Sequence, residues 1–197
     1  MEATPQPRTR KDASGRSTRE RMLSAASDVL RAEGYTALTM ERVASESRVA
    51  KTTLYRHWPT KAALCMDLYL EVAGRELQDP DTGNIADDLK QIVHAVVRLQ
   101  TQTVAGPAFV GLIAEAQINP GTRAAFLAEF AERRREITRT VLRRAIQRRE
   151  IRRDVDIDLV IDTIGGATTF RLLQGHAPLN RKFAESLVDL VLEGISK

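Results

Sequence analysis

The sequence predicts an all-α protein of about nine helices, on three observations. Alanine, leucine and arginine dominate, and aromatic residues make up only 5% of the chain, a composition that favours helix. Apolar residues recur at three- and four-residue spacing through most of the length. The interruptions fall at Gly, Pro and Asn clusters, and no stretch reads convincingly as a strand.

Residues 1–16 place Pro5, Pro7 and Gly15 among the basic Arg8, Arg10, Lys11 and Arg16 with no apolar periodicity, which reads as a flexible basic arm. A first helix starts at a cap on Ser17 or Thr18. It follows the stripe Leu23, Ala26 and Leu30, with Met22 and Val29 beside it, to about Glu33, where Gly34 ends it. Thr39 caps a second helix with Val43 and Ala44 on one face; Arg42 stands where a capping box would have glutamate. Ser47-Arg48-Val49 forms a turn. A third helix over residues 50–57 aims Leu54, with Trp58 four residues on, inward. Its other face presents Lys51, Thr52, Thr53, Tyr55, Arg56 and His57. Trp58-Pro59-Thr60 stops that helix, and a fourth runs from Lys61 to about Leu77. These elements make a helix-turn-helix unit over residues 17–77.

Gln78-Asp79-Pro80-Asp81-Thr82-Gly83 is the clearest linker, and a second unit covers residues 84–197. Its first helix, from Ile85 to Val104, carries Leu89, Ile92, Val93, Val96, Val97 and Leu99. Gly106-Pro107 breaks it before a short apolar helix from Phe109 to Gln117. After Asn119-Pro120-Gly121 a long helix extends from Thr122 to Arg149 with Phe126, Phe130, Ile137, Val141 and Ala145 on one side. Asp154-Val155-Asp156 opens the next, which stops at Gly175, and Asn180 caps the last, reaching about Gly194.

Composition narrows the function. The chain has 197 residues and one cysteine, so no internal disulfide framework, in keeping with a reducing cytosol. No apolar run approaches the ~20 residues of a membrane span, and the N-terminus lacks the apolar centre of a signal peptide. The expectation is a cytoplasmic protein with no membrane partner. The net charge of +4 is uneven: residues 1–65 carry +5 and the remainder −1. A basic end on a near-neutral body points to a polyanion partner for that end. There is no Gly-rich phosphate loop and no HExxH; His57, His94 and His176 lack metal-ligand spacing, and Cys65 has no base nearby in sequence. The reading is of a non-enzyme without metal or cofactor.

The N-terminal third resembles the TetR family of bacterial regulators. The resemblance rests on Leu38-Thr39, Val43-Ala44, Val49-Ala50-Lys51, Thr53-Leu54-Tyr55-Arg56-His57-Trp58 and Lys61-Ala62-Ala63-Leu64, set against the family phrase V-S-K-G-T-L-Y-x-H-F-x-x-K-x-x-L. It spans roughly residues 17–70; Arg152-Arg153-Asp154-Val155-Asp156 and the last two helices are similar to family C-terminal domains. It implies a homodimeric transcriptional regulator, with a small-molecule site in the C-terminal domain that controls affinity for double-stranded DNA. Carried over residue by residue, Lys51, Thr52, Thr53 and Arg56 face base edges or adjoining phosphates, Tyr55, His57 and Lys61 bind phosphates, and the Thr39 hydroxyl clamps the backbone. The chain departs from the pattern where Arg48 replaces a glycine, putting a bulky residue at positive φ at a cost on the order of 1 kcal/mol. A phosphate contact by Arg48 would offset that. Ala50 replaces a capping serine, Thr52 a glycine, and Trp58 a phenylalanine, whose indole N–H will need a partner. The arm bearing Arg8, Arg10, Lys11 and Arg16 either enters the minor groove or is solvated.

The last two helices carry Leu159, Val160, Ile164, Ala167 and Leu173, then Phe183, Leu187, Leu190, Val191 and Ile195. These stripes are wider than a hairpin can cover. A two-fold four-helix dimer interface is expected through Leu159, Ile164, Leu173, Phe183, Leu187, Leu190 and Val191, with Gly165-Gly166 at a close crossing. Two third helices would then sit about one DNA turn (~34 Å) apart, facing a palindromic operator. By family analogy the effector site lies between Ile85 and Phe170, with His94, Gln102, Gln117 and Thr169 as polar candidates and Phe109, Phe126 and Phe130 as walls; ordinary core packing explains each singly as well. Few internal charges point to an apolar or aromatic effector. The arginines of 133–153 alternate with Glu132, Glu136 and Glu150 as a solvated face. The expected function is a repressor released by its effector. A DNA-binding architectural or activator protein without effector, or a helical adaptor binding protein, are the alternatives.

Overall fold

The computed structural model describes residues 17–196. The readings on Arg8, Arg10, Lys11 and Arg16, and on the Phe130 side chain, lie outside the described residues. The helices are α1 (Thr18–Ala37), α2 (Met40–Ser47), α3 (Lys51–His57), α4 (Lys61–Glu76), α5 (Ile85–Gln102), α6 (Ala105–Ile118), α7 (Pro120–Ala125), α8 (Glu132–Arg148), α9 (Ile157–Gln174) and α10 (Arg181–Ile195). A π-helical turn, Phe126–Ala131, joins α7 to α8 without a break, so the ten α segments make nine rods among the described residues. An isolated antiparallel bridge pairs Ile151 with Ser196. No helix among the described residues is long and apolar enough to cross a membrane.

Most helices begin on a side chain that accepts an otherwise orphaned backbone N–H. Ser17 does so within a complete capping box, its hydroxyl accepting from Glu20 N while the Glu20 carboxylate accepts from Ser17 N. Thr39, Thr60, Asn84, Asn119, Asp156 and Asn180 cap α2, α4, α5, α7, α9 and α10 in the same way. Gly34, at φ 79°, breaks the first helix just past Glu33. Two boundaries differ from the sequence reading. Gly106-Pro107 does not separate α5 from α6 but lies inside the first turn of α6, where a missing proline N–H leaves no helical bond unmade. Pro120 likewise opens α7 instead of preceding it.

Two apolar cores form. One is built by α1 to α4 together with Leu99 near the end of α5, Val104 just before α6, and Ala105, Ala108, Phe109 and Leu112 of α6. The other gathers the first half of α5 with α8, α9 and α10. Helix α6 therefore packs into the helix-turn-helix end of the molecule. Tyr35 fixes it there: its ring lies where a β-carbon on Gly111 would come within 2.0 Å of Cγ, and its hydroxyl donates to Glu115 Oε2 at 2.6 Å. Thr122 Oγ1 donates to the other Glu115 oxygen at 3.1 Å, tying α1, α6 and α7 together.

The linker after α4 is strapped down. Arg144 pairs with Asp79 and donates to the Pro80 carbonyl at 2.6 Å, and Arg148 reaches Asp81, Asp88 and Glu150. Asp88, fully buried, accepts from Thr82 N and Oγ1, each at 2.8 Å. Part of the arginine-rich face of α8 is thus occupied in holding the α4–α5 connection.

Candidate nucleic-acid interface

Helix α3 has seven residues, too few to stand alone. It is held from behind. Leu54 is fully buried and Trp58 nearly so. The indole finds the partner it needs: Trp58 Nε1 donates to Asp67 Oδ2 at 2.9 Å. Arg19 brings the same carboxylate under control, bonding Asp67 at 2.8 Å and Glu71 at 3.0 Å, with its guanidinium 6.0 Å from the Trp58 ring centre. Sequence spacing does not reveal this Arg19–Asp67–Trp58 brace, because it joins α1, α3 and α4 across up to 48 residues.

The turn between α2 and α3 is a Schellman motif. Arg48 sits in the left-handed region at φ 54°, ψ 41°, its N–H donating to Ser45 O at 3.1 Å and the Val49 N–H to Ala44 O at 3.0 Å. Arg21 of α1 donates to the Ser47 and Arg48 carbonyls at 2.5 and 3.2 Å, so the turn is anchored by its backbone while the Arg48 residue stays exposed. Thr39 Oγ1 accepts from Arg42 N at 3.1 Å, and Ala50 gives α3 no side-chain cap.

The outer face of α3 presents Lys51, Thr52, Tyr55, Arg56 and His57 exposed, with Thr53 half-buried. Glu41 on α2 stands at the edge of this face, 3.5 Å from Lys51 Nζ and accepting from the Tyr55 hydroxyl at 3.4 Å. Hydrogen bonding to its own backbone N–H and the Lys51 charge hold its carboxyl below the ordinary value. Lys61 is placed differently from the others. Its ammonium lies 4.1 Å from the Tyr35 ring centre and donates at 3.4 Å to Tyr35 O, which also accepts from the Leu38 N–H at 3.2 Å. The structure therefore brings Thr39, Arg48 and six side chains of α3 to one end of the molecule and turns Lys61 toward α1.

Residues 22–67 match the family model for bacterial regulatory proteins of the tetR family, and residues 79–191 match the tetracyclin repressor-like C-terminal domain. The chain belongs to the TetR family. This TetR-family protein is 32% identical over 178 residues to the HTH-type transcriptional regulator YdeS of Bacillus subtilis, the match covering 90% of this chain and 89% of the relative. It is 29% identical over 164 residues to the HTH-type regulator Rv1556 of Mycobacterium tuberculosis, covering 83% and 80%. The crystal structure of the TetR family transcription regulator SCO0332 is similar at a TM-score of 0.77 and 36% identity, covering 91% of this chain and 99% of that one. The chain is thus a DNA-binding transcriptional regulator of the helix-turn-helix type, and not an enzyme. Burial pushes the Cys65 thiol of this regulator up to about 12, far from a usable nucleophile.

The C-terminal candidates of the TetR-family chain are spread over several places. Thr169 borders a cavity of about 390 Å³ between α5, α8 and α9, with Ile92, Val96, Thr138, Ile161 and Gly165 among its walls. Phe109 and Phe126, with ring centres 6.4 Å apart, pack into the first core, with Arg134 4.3 Å over the Phe109 ring. Gln102 and Gln117 are exposed, the latter donating to Ile113 O at 3.3 Å. His94 faces α10, 3.6 Å from Glu185; burial and the Arg181 charge push its imidazole below the usual value. The six described candidates do not gather in one site, because α6 turns Phe109 toward the helix-turn-helix core and leaves Gln117 in solvent.

The expected dimer stripe also divides. Ile164, Leu187 and Val191 pack inside the subunit in the second core. Leu159, Leu173 and Leu190 stay 62%, 44% and 66% exposed, joined by Phe170 at 59%, which sequence reading passed over. Phe183 is half-buried beneath the Arg171 guanidinium, 3.9 Å from its ring centre. Among the described residues, no atom of another helix lies within 4 Å of a β-carbon built on Gly165 or Gly166, so the pair serves no close crossing among them.

Proposed function

We propose that this protein is a homodimeric repressor that binds a palindromic operator and is released from it by a small apolar or aromatic effector. The observation that carries the DNA half of the reading is the α3 face: a row of cations, hydroxyls and an imidazole mounted on a rod whose back is locked by Leu54 and Trp58. Lys51, Thr52, Thr53 and Arg56 would read bases or adjoining phosphates. Thr39, Arg48, Tyr55, His57 and, once it swings from Tyr35, Lys61 would hold the backbone. Residues 17–77 are the reading unit and residues 84–197 the unit that dimerises and senses.

The dimer reading is supported by Leu159, Phe170, Leu173 and Leu190. Four large apolar side chains exposed on α9 and α10 are what an unpaired isologous interface leaves on a single chain. Effector binding is assigned to the α5–α8–α9 cavity, where Ile92, Val96, Ile161 and Ile164 offer an apolar body its surface, Thr138 and Thr169 offer hydroxyls, and Arg134, Arg135 and Asp162 add charged groups to the wall. Occupation there changes the spacing of the two reading units and with it the affinity for DNA.

Footprinting on the DNA upstream of the chain's own gene, with and without hydrophobic compounds, tests the whole reading. A protected two-fold site that disappears on adding a compound supports it; protection of every fragment alike refutes operator specificity. Sedimentation as a monomer at micromolar concentration would rule out the dimer.

A further inference from the structure

The α5–α8–α9 cavity is bordered by a buried hydroxyl that the described residues leave unused. Thr138 of α8 lines the cavity and is only 8% exposed. A threonine inside a helix commonly satisfies its hydroxyl on its own backbone, three or four residues back. This chain follows that habit elsewhere: Thr101 donates to Val97 O at 2.7 Å, Thr163 to Leu159 O at 2.8 Å, and Thr168 to Ile164 O at 3.0 Å. The Thr138 hydroxyl makes no hydrogen bond among the described residues. Nor is it sealed inside protein, as the side-chain amide of Gln100 is. A buried hydroxyl without a partner is costly, and the cavity is the side from which a partner can come.

The rest of the wall restricts what that partner can be. Its charged groups already have contacts: Arg135 bonds Asp158 at 3.0 Å and pairs with Asp162, bridging α8 to α9, and Arg134 lies 4.3 Å over the Phe109 ring. A charged guest would have to break these contacts or enter desolvated. Ile92, Val96, Ile161 and Ile164 give an apolar body its surface. Gly165 and Gly166 give it room. Among the described residues no atom of another helix lies within 4 Å of a β-carbon built on either, so two residues that weaken α9 leave open wall where side chains would stand. Of the other two hydroxyls in the wall, that of Thr168 is turned onto its own helix and Thr169 is only half-buried.

We propose that Thr138 is the orienting contact of this cavity, and that the guest it selects is a neutral, largely apolar molecule with one hydroxyl or carbonyl group bonded to the Thr138 hydroxyl. The proposal rests on the assignment of the effector to the same cavity and narrows its chemistry. A guest without the polar group leaves the hydroxyl unsatisfied, and an ionised guest disturbs the Arg135 bridge.

Binding is read directly on the ¹⁵N-labelled full chain without DNA, from the Gly165 and Gly166 amide signals, with 2-naphthol, naphthalene and 2-naphthoate as probes. The expected result is a saturable shift with 2-naphthol, which binds more tightly than either of the others. Thr138→Val keeps the volume and removes the hydroxyl. It should weaken 2-naphthol about three- to tenfold, the worth of one hydrogen bond, and leave naphthalene unchanged. Thr138→Ser should restore most of the loss. Without a probe, Thr138→Val should melt no lower than the parent, whereas a hydroxyl with a structural role would lower the transition when removed. Equal weakening of 2-naphthol and naphthalene by Thr138→Val overturns the hydroxyl contact and leaves the cavity as the effector site. Tighter binding of 2-naphthoate than of 2-naphthol overturns the neutral guest. No saturable shift with any probe up to millimolar concentration removes both the contact and the cavity. Binding as expected with unchanged affinity for DNA refutes the effector reading and keeps the contact. Should Thr138→Val fail to fold, the order of the three probes on the parent chain decides.

Discussion

Replacing Arg48 by glycine separates what its backbone costs from what its side chain does. At φ 54°, ψ 41° an L-residue crowds its β-carbon against the following carbonyl, a strain of roughly 1–2 kcal/mol that glycine does not bear. Glycine returns about 0.5–1 kcal/mol through the greater freedom of its unfolded chain. None of the bonds that hold the turn uses the Arg48 side chain, so they survive the change. The net expectation is a gain of about 0.5–1 kcal/mol, or a rise in melting temperature of about 1–4 °C for a chain this size. If the guanidinium meets a phosphate, the same variant binds DNA less tightly, and the slope of log affinity against log salt falls by about 0.9. Arg149 is the internal control. It closes α8 at φ 65°, ψ 27° with the same pair of bonds, Arg149 N to Ile146 O and Glu150 N to Ala145 O, at the other end of the chain. Arg149→Gly should stabilise equally and leave DNA binding untouched. Calorimetric melts of both variants, with fluorescence anisotropy on a duplex at several salt concentrations, measure each quantity. A lower melting temperature for both variants refutes the strain argument; tighter DNA binding by Arg48→Gly refutes the phosphate contact.

Leu54→Ala removes the fully buried anchor of α3 and should cost about 2–5 kcal/mol in denaturant melts, with DNA binding lost in proportion. Tyr35→Phe keeps the ring over Gly111 but removes the 2.6 Å bond to Glu115, for a loss of about 1–3 kcal/mol read in the same melts. Leu190→Glu, at a site 66% exposed in the single chain, should leave the subunit folded by circular dichroism yet sediment as a monomer at micromolar concentration; an unchanged dimer removes α10 from the interface. Arg56→Ala should alter base preference in a sequence-selection assay, whereas Lys61→Ala should weaken all duplexes alike; equal losses for both on every sequence would deny Arg56 a base-reading role.

The features legible in the sequence were those written within a few residues. Thr39, Asp156 and Asn180 declared their helices because an N-cap acts two or three positions away, and Gly34 and Arg48 marked breaks because left-handed backbone is decided locally. The polar face of α3 was legible for the same reason: Leu54 and Trp58 four apart leave only one side for the polar row. What stayed hidden depends on partners far along the chain. Nothing near Lys61 announces that its ammonium will rest on Tyr35, 26 residues earlier, or that Glu41 will face Lys51 and Tyr55. The stripes of α9 and α10 are wide enough to serve a core and an interface together, and periodicity does not say which edge, Ile164 or Leu159, goes inside.

The element hardest to place was α6, and its placement bears most on regulation. It is apolar on nearly every side, so no stripe indicates its neighbour, and the break expected at Gly106-Pro107 is instead its first turn. In the structure it packs with α1 and α4 against Tyr69 and Leu99, while its own Glu115 is bonded to Tyr35 on one side and Thr122 on the other. Thr122 belongs to α7, which runs unbroken through the π turn into α8, and α8 carries Thr138 into the cavity with Ile161 and Thr169. On the proposed effector reading, a guest that shifted α8 would pull on Thr122 and, through the Glu115 carboxylate, on Tyr35, at the end of α1 and four residues from the Thr39 cap. The N-terminal helices and the C-terminal body meet through side-chain bonds of definite length, and for that reason a small displacement in the C-terminal half need not be absorbed by the linker. The linker itself, clamped by Arg144 and Arg148 to Asp79, Asp81 and Asp88, offers little slack to absorb it.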